Sequence, residues 1–289
     1  MKDWKKRILF SLVGFIFVFD GLVWYAVAKE SRGDILTVSF LDIGQGDSIF
    51  IDAPSGNQVL IDGGPGSIVL HRLGEVMPFY DRSVDALIVS NPDKDHFAGF
   101  VDVLNRYEVH DVIEPGTVSA TAIYHTFKDL VAKKHIPDLL LKTGDRIVLD
   151  EKRGVVLDIL FPDRDVSGLA INDGSLVARL SYRNICFMMM GDAPQKIEEY
   201  LMHLFSPEAL HCQVLKVGHH GSRTSTSANF VQAVAPEYAV ISDGKDNKYG
   251  HPHQETLDTL NNFGVNILRT DELGTITFTT DGNKIKIKK

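Results

Sequence analysis

A short apolar run that breaks off into aspartate or histidine recurs along this chain, and that recurrence constrains the fold more than any other feature. Ala86 to Val89 reads as a buried strand. It stops at Ser90-Asn91-Pro92, because proline has no N–H and turns the residue before it away from helix. Asp93, Asp95 and His96 come within four residues, and Val101 to Tyr107 continues as a helix. Ile185 to Met190 ends in Gly191-Asp192 at the head of a helix from Gln195 to Leu204. His211 to Val217 ends in Gly218-His219-His220-Gly221-Ser222, and Gln58 to Ile61 ends in Asp62-Gly63-Gly64. An α/β fold places its chemistry on such loops at strand ends. Each loop alone has an ordinary explanation, with Asp95 or Asp192 capping a helix and Asp62 holding a turn. Taken together with His251 and His253, they point to one site. Carboxylate beside imidazole suits zinc, manganese or iron. Beside such a metal, Asp62 would orient a ligand from behind. His219 and His220 are adjacent and point in different directions, so one of the two ligates.

The chain has 289 residues, and without its first thirty it is the size of one large α/β domain. A formal net charge of −8 excludes bulk electrostatic attraction to nucleic acid or to an acidic membrane. Cys186 and Cys212 are the only cysteines, which rules out a disulfide framework or a Cys-rich zinc ribbon. Both lie in apolar runs and are expected as two buried thiols. Lys2, Lys5, Lys6 and Arg7 precede an apolar stretch from Ile8 to Ala28 in which Asp20 is the only charge. Residues 1–29 therefore read as a signal peptide with its cleavage site at Ala26-Val27-Ala28, or as a single membrane anchor. Asp20 is costly to either reading at the membrane centre. The flanking basic residues put the amino end in the cytoplasm and the domain, residues 34–289, outside. The strand and helix order from there suggests two pseudo-equivalent halves. Ile285 and Ile287, alternating with Lys284, Lys286 and Lys288, suit an edge strand.

A series of ordered motifs narrows this further. They are Phe40-Leu41-Asp42-Ile43-Gly44-Gln45-Gly46-Asp47-Ser48, Leu60-Ile61-Asp62-Gly63-Gly64, the Asp93 to His96 loop, Asn172-Asp173-Gly174-Ser175-Leu176-Val177, Gly191-Asp192, Lys216-Val217-Gly218-His219-His220-Gly221-Ser222 and Tyr249-Gly250-His251-Pro252-His253. Over about residues 34 to 282 the chain resembles a metallo-β-lactamase-fold hydrolase of the kind found as the extracytoplasmic domain of ComEC-type competence proteins. The resemblance implies a four-layer αβ/βα sandwich with a metal site at one edge of its two sheets. It implies that Asp95, His96 and His219 hold one zinc or manganese ion with Asp192 bridging, and that Asp93 belongs to a second site. That second site is incomplete, because Asn91 stands where the relatives carry a histidine, so one firm metal and a weak second one are expected.

The resemblance also implies a function. A bound metal lowers the pKa of water and promotes its attack on phosphorus or carbonyl. Asp95 would orient that water. His220 and His251 would act on the scissile group, with Asn91, Asp62, Ser222 and His253 supporting the ligands or meeting substrate. The substrate implied is extracellular single-stranded DNA, and the partner a membrane DNA-uptake channel made by other proteins. A hydrolase of a small ester, lactone or cyclic nucleotide, or a catalytically degenerate DNA- or partner-binding domain, stands as the alternative.

Overall fold

The computed structural model describes residues 3–30 and 33–288. Lys2, part of the basic amino end, and Lys289, the last residue of the expected domain, lie outside the described residues. The chain divides into two units between Asp34 and Ile35. The first is the helix α1 (Asp3–Glu30). Its stretch Lys6–Trp24, with mean hydropathy 1.9, is long and apolar enough to cross a membrane.

The second unit contains two sheets. Its strands are β1 (Leu36–Phe40), β2 (Ile49–Asp52), β3 (Gln58–Ile61), β4 (Ser83–Ile88), β5 (Glu108–Glu114), β6 (Asp138–Leu140), β7 (Arg146–Asp150), β8 (Val155–Phe161), β9 (Val177–Tyr182), β10 (Ile185–Met189), β11 (Val214–Lys216), β12 (Tyr238–Ile241), β13 (Asn266–Arg269), β14 (Ile276–Thr280) and β15 (Ile285–Lys288). One sheet has the order β15-β14-β1-β2-β3-β4-β5-β6 and the other β13-β12-β11-β10-β9-β8-β7. Each is antiparallel at one end and parallel at the other: β3 to β6 run parallel in the first sheet, and β10 to β13 in the second. The two sheets do not coincide with two halves of the chain, because β14 and β15 from the C-terminal end return to the first sheet beside β1.

Strand periodicity explains the layering. Successive side chains on a strand point to opposite faces. On β10, Ile185, Phe187 and Met189 face a core shared with Val38 and Phe40 of the other sheet. Cys186 and Met188, with Met190 just beyond, face a separate core with Ile197 and Leu201. The strand is apolar throughout because both of its faces are covered. On the first sheet, Leu60 and Leu87 pack outward against Phe100, Val103 and Phe127. The helices α2 (Ile68–Val76), α3 (Lys94–Phe97), α4 (Phe100–Arg106) and α5 (Ala122–Lys133) cover that face. The helices α6 (Gln195–Leu204), α7 (Pro207–Leu210), α8 (Ala228–Val234), α9 (Gln254–Asn262) and α10 (Thr270–Leu273) follow the strands of the second half. The result is helix, sheet, sheet, helix, the four-layer αβ/βα architecture expected.

Two local expectations are corrected. The run His211 to Val217 contributes only Val214–Lys216 as strand, because Ser206 caps the short helix α7 and its chain turns just before. Cys186 and Cys212 are joined as a disulfide rather than left as thiols, with Cα atoms 5.0 Å apart. Parallel pairing of β10 with β11 sets Phe187 beside Val214, which brings the preceding cysteines together.

Candidate metal centre

The loops that follow β1, β3, β4, β10 and β11 meet at one rim of the two sheets. Asp62, at φ 60 after β3, donates its N–H to Ile88 O of the neighbouring strand. Gly46 lies so close to the β4 loop that a Cβ there would stand 2.0 Å from Asp95 O, and Asp47 N–H donates to that same carbonyl. The histidine turn after β11 is tied to the β10 loop by His219 N–H donating to Gly191 O at 3.0 Å. Backbone hydrogen bonds thus lock the loops together before any side chain is considered.

Two imidazoles sit at the centre, both buried. His96 Nδ1 lies 2.9 Å from Asp62 Oδ2, and its Nε2 lies 3.2 Å from Asp192 Oδ2. Asp62 is itself held by Ser90, which donates both its N–H and its hydroxyl. His220 Nδ1 lies 3.0 Å from Ser242 O and 3.3 Å from Asp47 Oδ1, and its Nε2 lies 3.5 Å from both Asp95 Oδ2 and Asp192 Oδ1. Each ring is thus oriented from behind through Nδ1, leaving Nε2 for the centre, as in metal-bound histidines. His96 Nε2, His220 Nε2 and Asp192 Oδ1 are buried with no hydrogen-bond partner. Buried polar atoms without a partner are costly, and each invites an explanation such as an ion. Among the described residues, Asp95, His96 and His220 form one group whose ligand atoms lie within 4.8 Å of one another. Asp47, Asp62 and His96 form a second, and Asp47, Asp192 and His220 a third. This donor set fits a divalent cation.

The charges agree with that fit. Burial alone would raise Asp47, but Lys216 and then His220 outweigh it and hold its carboxyl at about 2. Burial would lower His220, yet Asp192 and Asp47 lift it to about 10. His96 is likewise raised by Asp192 and Asp62 against burial, and Asp192 is lowered by His96 and His220 against burial. Two imidazolium protons therefore balance a ring of carboxylates, and a divalent cation would replace them.

The expected residues divide by place. Asp95, His96, Asp192 and Asp62 lie at the centre, and His220 joins them. His219 is in none of the three groups. Its side chain is 27% exposed, with Nε2 3.9 Å from Asp192 Oδ2 and Nδ1 3.1 Å from Thr224 Oγ1. Both histidines have positive φ, 50 and 53, so the turn is left-handed and its two rings diverge. Asp93 is also outside the groups, half-buried, its carboxyl raised by burial and by Asp95. Asn91 is wholly buried and its amide is fully engaged. It donates to Asn172 Oδ1 and Ser175 Oγ, and its oxygen accepts from Asp93 N–H. Asn91 thus fastens the β4 loop to the Ile171–Gly174 turn. His251 lies beside the centre, its ring centroid 5.7 Å from His219 and 6.2 Å from His220. Burial, then His220 and His219, push it down to about 4, which keeps it neutral. His253 Nδ1 accepts from Arg223 N–H, and Ser222 Oγ pairs with Thr224 Oγ1.

Sequence reasoning missed the pairing of Asp47 with Lys216. Lys216 Nζ lies 2.6 Å from Asp47 Oδ2, and both are buried. A signal was present, since a lysine inside an apolar strand needs a buried carboxylate or it would not be there.

No protein-family model matches the chain. It is 32% identical over 258 residues to ComE operon protein 3 of Bacillus subtilis (strain 168), a match that takes in 83% of this chain and 32% of that protein. It is 30% identical over 211 residues to Competence protein ComA of Neisseria gonorrhoeae, covering 72% of this chain and 27% of that one. The chain thus spans about a third or less of the length of these curated relatives. Among solved structures it is similar to Igni18, a novel metallo hydrolase from the hyperthermophilic archaeon Ignicoccus hospitalis, with TM-score 0.52 and 12% identity over 84% of this chain and 98% of that one. It is similar also to Tm1679, a metal-dependent hydrolase of the β-lactamase superfamily, with TM-score 0.50 and 11% identity over 81% and 95%. Identities that low speak for the fold alone. The domain that carries this centre therefore has the metallo-β-lactamase fold, and its sequence resembles that of the competence proteins.

Proposed function

We propose that this chain is a metal-dependent phosphodiesterase that acts on single-stranded DNA outside the cytoplasm, in competence-type DNA uptake. The observation that carries the hydrolase reading is the convergence of His96 Nε2, His220 Nε2 and Asp192 Oδ1, buried without a hydrogen-bond partner, in a carboxylate-rich centre. These atoms, with Asp95, would hold one zinc or manganese ion. His219 and Asp93, nearer solvent, would meet a weaker second one. Asn91 would not add to it, because its oxygen accepts from Asp93 N–H. A divalent cation at this place supplies Lewis-acid charge and acidifies the water that attacks. Asp95, at the mouth of the centre, orients that water and accepts its proton. Neutral His251 takes up a proton as an anionic phosphate raises its pKa, and passes it to the leaving oxygen. The DNA substrate rests on the likeness to competence proteins, and a separate uptake channel would be its partner. The Cys186–Cys212 disulfide supports placement in an oxidising compartment, reached through residues 1–29 as signal or anchor, with residues 34–289 as the exported domain.

The test is elemental analysis of the full chain in detergent, with a single-stranded DNA cleavage assay in manganese or zinc. His96→Ala and His220→Ala run beside it. One metal per chain, and cleavage lost in both variants, is the expected result. Absence of metal and of cleavage at millimolar manganese would leave a binding domain. Hydrolysis of small esters or cyclic nucleotides with DNA untouched would move the substrate to the alternative class.

A further inference from the structure

Tyr249 is 51% exposed and stacks on His251, with ring centroids 5.6 Å apart and planes 21° from parallel. His251 in turn touches both histidines of the turn after β11. The loop is built rather than loose. Asn247 Oδ1 accepts from the backbone N–H of both Tyr249 and His251, and Asn247 Nδ2 donates to Gly244 O and His251 O. Lys248, also exposed, sets its ammonium over the Tyr249 ring at 5.0 Å. A single exposed aromatic is ordinary on a protein surface. This one is held in place beside the metal centre, stacked on His251, half-exposed, and with the Lys248 ammonium near its ring.

We propose that Tyr249 is a stacking platform for one base of a single-stranded nucleic acid whose phosphodiester enters the metal centre. The proposal rests on the phosphodiesterase reading above and deepens it. The entering base displaces Lys248 from the ring, and the ammonium moves to the phosphate beside it. Aromatic stacking accepts any base, because every base has a π-face. It also suits a chain of net charge −8, in which attraction to phosphates cannot supply most of the affinity.

The experiment measures binding of the full metal-loaded chain, in detergent, to a fluorescent, cleavage-resistant phosphorothioate oligothymidylate and to the same strand carrying one abasic residue at each position in turn. Tyr249→Ala is expected to weaken binding roughly tenfold, within the range of losing one stacked base, and Tyr249→Trp to preserve it. One abasic position should reproduce the loss in the unaltered chain and add nothing in Tyr249→Ala. Lys248→Gln should flatten the salt dependence, and Tyr249→Ala should leave its slope unchanged. Phe79→Ala removes an aromatic that is 83% exposed at the opposite end of β4, and should change nothing. Full-strength binding by Tyr249→Ala, or abasic losses that add to it, overturns the platform and leaves the DNA reading standing. Failure of the unaltered chain to bind any strand overturns both.

Discussion

Replacing Lys216 by methionine leaves a carboxylate buried without its main counter-charge. Lys216 and Asp47 are both inaccessible, and Nζ lies 2.6 Å from Oδ2. Removing one partner of a buried pair costs about 3–5 kcal/mol, because the other charge remains in a medium that solvates it poorly. His220, 3.3 Å from Asp47 Oδ1, still offers partial compensation, so Lys216→Met is expected near the lower end, at about 3 kcal/mol. A second route gives a similar size. The carboxyl of Asp47 is held at about 2 against an ordinary 3.8, the net of burial, Lys216 and the two histidines, which is about 2–3 kcal/mol at ~1.4 kcal/mol per unit. The sign comes from the lowered pKa. This contribution is present above pH 3.8 and is lost as pH falls toward 2. The variant should therefore lose less stability than the unaltered chain over that acid window. Urea unfolding of Lys216→Met, Asp47→Asn and the double variant is the assay. The double variant should be about 2 kcal/mol less destabilised than the sum of the singles. Thermal midpoints of the singles should fall by about 6–12 °C for a domain of this size. A loss under about 1 kcal/mol for Lys216→Met, or singles that simply add, would refute the reasoning.

Asp62→Asn keeps the shape behind His96 but removes the carboxylate on Nδ1. Metal affinity should drop about 10- to 100-fold in a chelator competition, and unchanged affinity would count against the oriented-ligand reading. His96 is raised above its ordinary pKa and His220 to about 10, so both carry protons at neutral pH and must release them to ligate. Metal affinity should therefore climb as pH rises, and titration calorimetry in buffers of different ionisation heat should register about two protons released per metal; zero protons would contradict it. Removing the disulfide with Cys186→Ala and Cys212→Ala opens a link across a sequence separation of 26. The chain-entropy relation gives a loss of about 3.5 kcal/mol, and an unshifted denaturation midpoint would argue that the bond does not form.

Much of the scaffold was legible in the sequence because hydrophobic period is a local property. The apolar run at β10 reads as a strand covered on both faces. The helix Gln195–Leu204 was legible to the residue. The helix α8 and the three-residue strand β6 were not, since neither is long or patterned enough to stand out from its neighbours. Loop chemistry was legible too. Aspartate and histidine at strand ends marked the rim, and the ordered motifs from Phe40 to His253 carried the resemblance that the comparisons with competence proteins repeat.

Which atoms face the centre was decided by the tertiary structure alone. His219 and His220 are equal in sequence, but the left-handed turn at φ 50 and 53 sends one ring toward solvent and the other into the core. Only the tertiary structure shows what Asn91 does instead of ligating, with its amide bonded to Asn172, Ser175 and Asp93. Asp47, in the loop between β1 and β2, and Lys216, on β11 of the other sheet, lie far apart along the chain, and only the packing of the two sheets brings them to 2.6 Å. Residue type and spacing determine which loop a side chain occupies. Its direction, its partner and its charge depend on contacts between segments that no local pattern encodes.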